Sequence, residues 1–163
     1  MNFQNQYPKL WAYLSLNQKD LISEGHFLIK EISKDQAYQF KDYSFLIFPF
    51  AKAYEGFLKQ LFRDIKFISH LDYISDHLRL GKLMSPALVG RLNDRSLYKK
   101  IMEKTSKDLA DRIWAVWKLG RNQIFHYFPH NLKAVSYNEA IRIINEILTT
   151  MNEAYERLWE ANR

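Results

Sequence analysis

Residues 136–158 read SYNEAIRIINEILTTMNEAYERL, and this stretch decides the fold class. Ser136, followed three residues later by Glu139, is a capping-box pattern for a helix start. Ala140, Ile144, Ile147, Leu148, Met151, Tyr155 and Leu158 then recur at spacings of three and four, which builds one buried helical face. Working back along the chain, the same period predicts a helix from Ser106 or Lys107 that stops by Pro129, since proline cannot continue the hydrogen-bond ladder. Its stripe is Ala110, Ile113, Trp114, Trp117, Ile124, Phe125 and Phe128. A further helix runs to about Ile68 on Ile47, Phe50, Ala51, Tyr54, Leu58, Leu61, Phe62 and Ile65, with Pro49 in its first turn or at a kink. The first helix is predicted from Asn17, read as its cap, to Ile32, burying Leu21, Ile22, Leu28, Ile29 and Ile32. Between about 70 and 105, Gly81, Pro86 and Gly90 divide short helices. Period-two patterns are scarce, so the chain is predicted to be all-α, a bundle of four main helices plus short ones.

The composition fits that reading. At 163 residues, 47% hydrophobic and 15% aromatic, the chain has ample material for a core. Five glycines and four prolines, without a low-complexity linker or repeat, predict one domain over 1–163. The aromatic N-terminal segment 1–16, with Tyr7, Trp11 and Tyr13, is expected to pack across the bundle or onto a partner. The absence of cysteine excludes disulfides, thiolate metal sites and a cysteine nucleophile. No apolar run approaches the roughly 20 residues of a membrane span, and the first ten residues lack a signal-type apolar stretch, so the expected location is the cytoplasm. A net charge of +6 and a pI of about 9.4 make a polyanion a natural partner.

One residue is out of place. Turned at about 100° per residue, Arg121 falls near the middle of the apolar sector of the helix that starts near Ser106. A guanidinium keeps its charge, so it must be paired there or open onto a wet cleft. The alternatives to a working site are a structural ion pair with a neighbouring helix and a side chain that snorkels outward. His126 lies five residues on and about 140° round an ideal helix. A site using both requires the arginine to reach round, the last turn to distort near Gly120, or a second subunit to complete the cleft. As a bare string Arg-x4-His means little, and Arg63 with His70 is a looser decoy. Context must decide between the two.

Two segments carry a resemblance. Ala53-Tyr54-Glu55-Gly56-Phe57-Leu58-Lys59, and Trp117 through His126 before the last helix, are similar to the HEPN superfamily of helical ribonuclease domains, most closely its RNase LS-like toxin branch. Arg121, Asn122 and His126 match the family's pattern of Arg, a polar residue, a short spacer and His. The resemblance runs from about Phe48 to the end. It implies a metal-independent endoribonuclease without a cofactor, in which two subunits bring their Arg and His pairs into one cleft. It further implies a toxin or phage-defence role, RNA as substrate, a cognate antitoxin as partner, and Glu55 as the glutamate that joins the pair. In two respects the chain departs from relatives. The tyrosine that minimal HEPN toxins carry two residues after the histidine is Phe128 here, with Tyr127 beside it, and these 163 residues are expected to hold no counterpart of the extra N-terminal domains of full RNase LS toxins.

The residues suit such chemistry. RNA carries its own nucleophile in the 2′-hydroxyl. His126 is of the type that serves as general acid or base near neutrality, and Arg121 presents a rigid fork to phosphate oxygens. Glu55 is placed to orient His126, to share proton transfer, or to pair with Arg121. Lys52, Lys59 and Lys66, spaced by seven, form one basic edge that would track an RNA backbone with Asn122, or else an ordinary solvated face. His26, His70, His77 and His130 have no metal-ligand spacing. Trp114 and Trp117 read as core rather than as base-stacking platforms. The competing function is a non-catalytic HEPN module that binds RNA or a protein.

Overall fold

The computed structural model describes residues 3–34, 38–122, 124, 126 and 129–162, and for Asn122 and Asn162 the backbone alone. Among these residues every regular element is helical and none is a strand, so the chain is all-α. Two short helices, α1 (Phe3–Gln6) and α2 (Pro8–Tyr13), precede α3 (Leu16–Lys34) and α4 (Ser44–Asp64). Short pieces follow, α5 (His70–Ile74), α6 (Leu80–Leu83), α7 (Val89–Leu92) and α8 (Leu97–Lys104), with 3₁₀ turns at Pro86–Leu88 and Asn93–Arg95. The chain then forms α9 (Lys107–Trp117) and α10 (Tyr137–Ala154). No described helix is long and apolar enough to cross a membrane.

Ser15, not Asn17, opens α3. Its hydroxyl accepts from Gln18 N at 3.4 Å while Gln18 Oε1 accepts from Ser15 N at 3.1 Å, the reciprocal pairing of a capping box. The buried residues of α3 are Gln18, Ile22 and Gly25, whereas Leu28, expected inside, is exposed. Gly25 explains the choice of face. A Cβ there would stand 2.4 Å from Phe50 Cε2, so the missing side chain lets α3 close onto α4. Gln18 is tolerated in that seam because its amide donates to Gln60 Oε1 at 3.1 Å.

The stripe of α4 is buried as its spacing predicts, from Ile47 through Phe62. Pro49 sits in the second turn of α4. α4 packs between α3 and α10, and α10 also covers α9. At the start of α10, Ser136 Oγ accepts from Glu139 N at 3.2 Å, and every residue of the expected stripe is buried, the last two, Tyr155 and Leu158, in a π turn (Tyr155–Trp159) that follows the helix. The N-terminal segment joins the same core: Phe3, Leu10 and Leu14 are buried, and Tyr13 packs on Phe57, Tyr155 and Trp159.

α9 ends earlier than proline alone dictates. After Trp117 the backbone widens into a π turn over Lys118–Asn122, and Ile124 and His126 then lie in a turn and a bend. Tight packing accompanies the change: a Cβ on Gly120 would meet Ile147 Cδ1 at 2.9 Å, so the turn lies directly on α10. Phe125 and Phe128, expected to extend the α9 stripe, lie outside the described residues, as do Gln123 and Tyr127. The connection into α10 is tethered to the start of α4. Tyr43 N donates to Val135 O at 2.8 Å, and Asn131 Nδ2 donates to Asp42 Oδ2 at 3.1 Å.

Candidate active site

The π turn sets where Arg121 goes. It touches both α10 and α4, and it carries Arg121 to the flank of α4 where Glu55 projects. Arg121 Nε stands 2.9 Å from Glu55 Oε2, and the guanidinium lies over the Trp117 ring, 5.2 Å from its centroid. Lys59, one turn after Glu55 on α4, places Nζ 3.6 Å from Glu55 Oε1. One carboxylate therefore faces two cations.

The expectation that Arg121 lies inside an apolar seam is corrected. Its side chain is 46% exposed, against 26% for Glu55. The physical reason is the wide turn after Trp117: the angular register of an α-helix does not carry through residues 118–122, so the guanidinium emerges beside the indole rather than under it. The charge is paired without being sealed. It opens onto a cleft of about 600 Å³ lined by Glu55, Lys59, Arg79, Lys82, Trp117 and Arg121, among others.

The floor of this cleft is rigid. Trp117 is 2% exposed, and a Cβ on Gly81 of α6 would stand 2.8 Å from its Nε1, so the indole is clamped between α6 and the core. Tyr54, the residue before Glu55, is fully within the core and donates its hydroxyl to Ile113 O at 3.2 Å. Burial pushes that hydroxyl well above its ordinary pKa, so it stays a neutral donor. Trp114 is half-buried with Lys118 Nζ 5.7 Å from its ring centroid.

The other candidates separate. His126 lies at the exposed bend beyond the π turn and is not among the residues lining the Arg121 cleft. The backbone of Asn122 closes the π turn, while its side chain lies outside the described set. Lys52 is exposed on α4. The single edge of Lys52, Lys59 and Lys66 is corrected, because α4 ends at Asp64 and Lys66 sits past it at φ 62°, in a different cleft from Lys59. A run of sevens holds one edge only while the helix lasts. Among the described residues no group of three His, Asp or Glu is placed to hold a metal ion.

Sequence reasoning passed over Arg79, Lys82 and Arg95, which line the Arg121 cleft and its neighbours. A signal was present: residues 79–104 hold seven Lys and Arg against Asp94 and Glu103 alone. Comparison with family models, curated proteins and solved structures finds no match for this chain.

Proposed function

We propose that this protein is a metal-independent endoribonuclease of the toxin or phage-defence kind, a HEPN-like helical bundle that acts in the cytoplasm as a homodimer and is restrained by a cognate antitoxin. The observation that carries the reading is an open, oriented guanidinium, Arg121 on the Trp117 ring beside Glu55, five residues before an exposed histidine. In the reaction the 2′-hydroxyl of RNA attacks the adjacent phosphorus and the 5′-oxygen leaves, giving a 2′,3′-cyclic phosphate. His126 takes the hydroxyl proton while water protonates the leaving oxygen, or His126 protonates the leaving oxygen while water takes the hydroxyl proton. Arg121 holds the non-bridging oxygens as charge grows on them. Since His126 is not part of the Arg121 cleft of its own copy, the proposed dimer places the bend of one copy against the guanidinium of the other, the geometry of a two-fold site.

A non-catalytic RNA- or protein-binding module is the second reading. It is favoured by the ion pair that Arg121 already makes with Glu55 within one copy. Substituting His126 by Ala separates the two. The nuclease loses RNA cleavage and cell toxicity while keeping its helical content and dimeric mass; the module shows no cleavage even as the wild type.

A further inference from the structure

The Arg121 cleft does not end at α6. A second cleft of about 240 Å³ shares Leu78, Arg79 and Lys82 with it, and a third of about 500 Å³ shares Asp72, Leu83 and Arg95 with the second. The third reaches Arg63, Lys66 and Lys100 at the far end of α4. The short helices between α4 and α9 thus wall three adjoining clefts, a trough in outline. We infer that this trough binds a single strand of RNA along its phosphate backbone and leads it to Arg121.

Charge is concentrated along this path. Eight of the chain's 24 Lys and Arg line the three clefts but only three of its 18 Asp and Glu, which leaves 16 against 15 everywhere else. Nearly all of the net +6 lies in the trough. Two of the three carboxylates within it are engaged: Glu55 faces Arg121 and Lys59, and Asp72 caps α5 through Ser69 N at 3.0 Å and Ser69 Oγ at 2.7 Å. Although Arg63 pairs with Asp64 at 2.6 Å, cations still outnumber carboxylates along the path, which favours a polyanion.

The far end is built rather than incidental. Lys66 occupies the left-handed region, φ 62°, at the exit of α4, which turns the chain there and sets the lysine on the cleft wall. Lys100 Nζ donates to Phe67 O at 2.8 Å, and Arg63 lies over the Tyr73 ring at 4.5 Å, so both are held in place. Exposed His70 stacks on Tyr73 with rings 26° from parallel, offering a face to an unpaired base. A cation row with ring faces inside a concave path suits a single strand, whereas a duplex presents its phosphates on a convex rod. The choice of RNA rests on the nuclease reading.

The test is anisotropy of a labelled single-stranded oligonucleotide whose 2′-hydroxyls are methylated, so that it binds without being cut. Wild type binds, and affinity falls steeply with salt. The double variant Lys66→Glu, Arg95→Glu weakens binding by about tenfold or more and lowers the salt slope by about 1.4, two phosphates' worth on a single strand. Lys30→Glu, Lys41→Glu makes the same change of net charge at exposed positions lining none of the three clefts, and leaves binding intact. Far-ultraviolet circular dichroism confirms folding; a double variant that fails to fold is replaced by Lys66→Gln, Arg95→Gln. Equal losses in both double variants, no loss in either, a wild type that does not bind, or displacement of the strand by polyglutamate at equal charge concentration overturns the trough as an RNA path. Cleavage of unmodified RNA is followed in parallel. Wild-type cleavage with an unaffected trough variant sinks the trough alone, and trough-dependent binding without cleavage sinks the nuclease reading alone.

Discussion

Arg121 Nε and Glu55 Oε2 stand 2.9 Å apart across the junction of the π turn and α4, with both side chains open to solvent. A pair this exposed contributes about 0.2–1 kcal/mol to stability, too little to be its main purpose. Glu55→Gln is therefore expected to move the melting temperature by no more than about 4 °C. The same substitution is expected to lower RNA cleavage by about 100-fold, the scale of a lost acid–base or orienting group. Calorimetry and a cleavage assay on one sample check both; a large loss of stability with unchanged cleavage makes the pair structural.

Gly25 offers a test of the core. Alanine normally favours a helix over glycine by about 1 kcal/mol, yet a Cβ here meets the buried Phe50 ring at 2.4 Å. Overpacking costs about 1–3 kcal/mol, and a fully buried ring puts Gly25 in the upper part of that range, so the net loss is about 1–2 kcal/mol. Gly25→Ala should lower the melting temperature by roughly 2–8 °C. An unchanged or raised melting temperature contradicts the close packing of α3 on α4.

His26 gives the protein an acid-sensitive element away from the site. Its Nε2 is buried without a partner among the described residues, its ring meets Phe50 edge-on at 5.2 Å, and burial lowers its pKa below the ordinary 6.5. The folded state thus prefers the neutral ring, so this contribution is complete above the unfolded pKa and is lost as pH falls below it. The depressed carboxylates Asp42, Asp72, Asp108, Asp111 and Glu139 also favour folding, but each loses its contribution only below the ordinary carboxylate range. Stability measured by urea denaturation should fall as pH drops below the ordinary histidine value of about 6.5 in wild type and stay flatter in His26→Leu. Parallel profiles for the two proteins contradict the assignment.

The long helices were legible because their buried faces are written in apolar spacing: Ile47 to Phe62 in α4, and Ala140 to Leu158 in α10 and the π turn that follows it, are buried as read. Two failures have one physical origin. Hydrophobicity chose Leu28 and passed over Gly25 and Gln18, although close approach of α3 to α4 is set by the residue with no side chain and by a hydrogen-bonded amide. It likewise carried α9 through to Pro129, although Gly120 packed on Ile147 accompanies the widening of the backbone at Lys118. Of the candidate site, Arg121 with Glu55 could be paired from sequence, as one of three roles left open to that glutamate. The trough could not, because its cations come from segments far apart in the chain, from Lys59 to Arg121. Only the basic bias of residues 79–104 announced it.

The most direct measurement is complementation between two inactive proteins, Arg121→Ala and His126→Ala, mixed in equal amounts and allowed to exchange subunits. If one copy supplies the guanidinium and the other the imidazole, each mixed dimer regains one complete site, and cleavage returns to about a quarter of the wild-type level. A mixture as inactive as its components, beside an active wild type, contradicts a site shared between two copies.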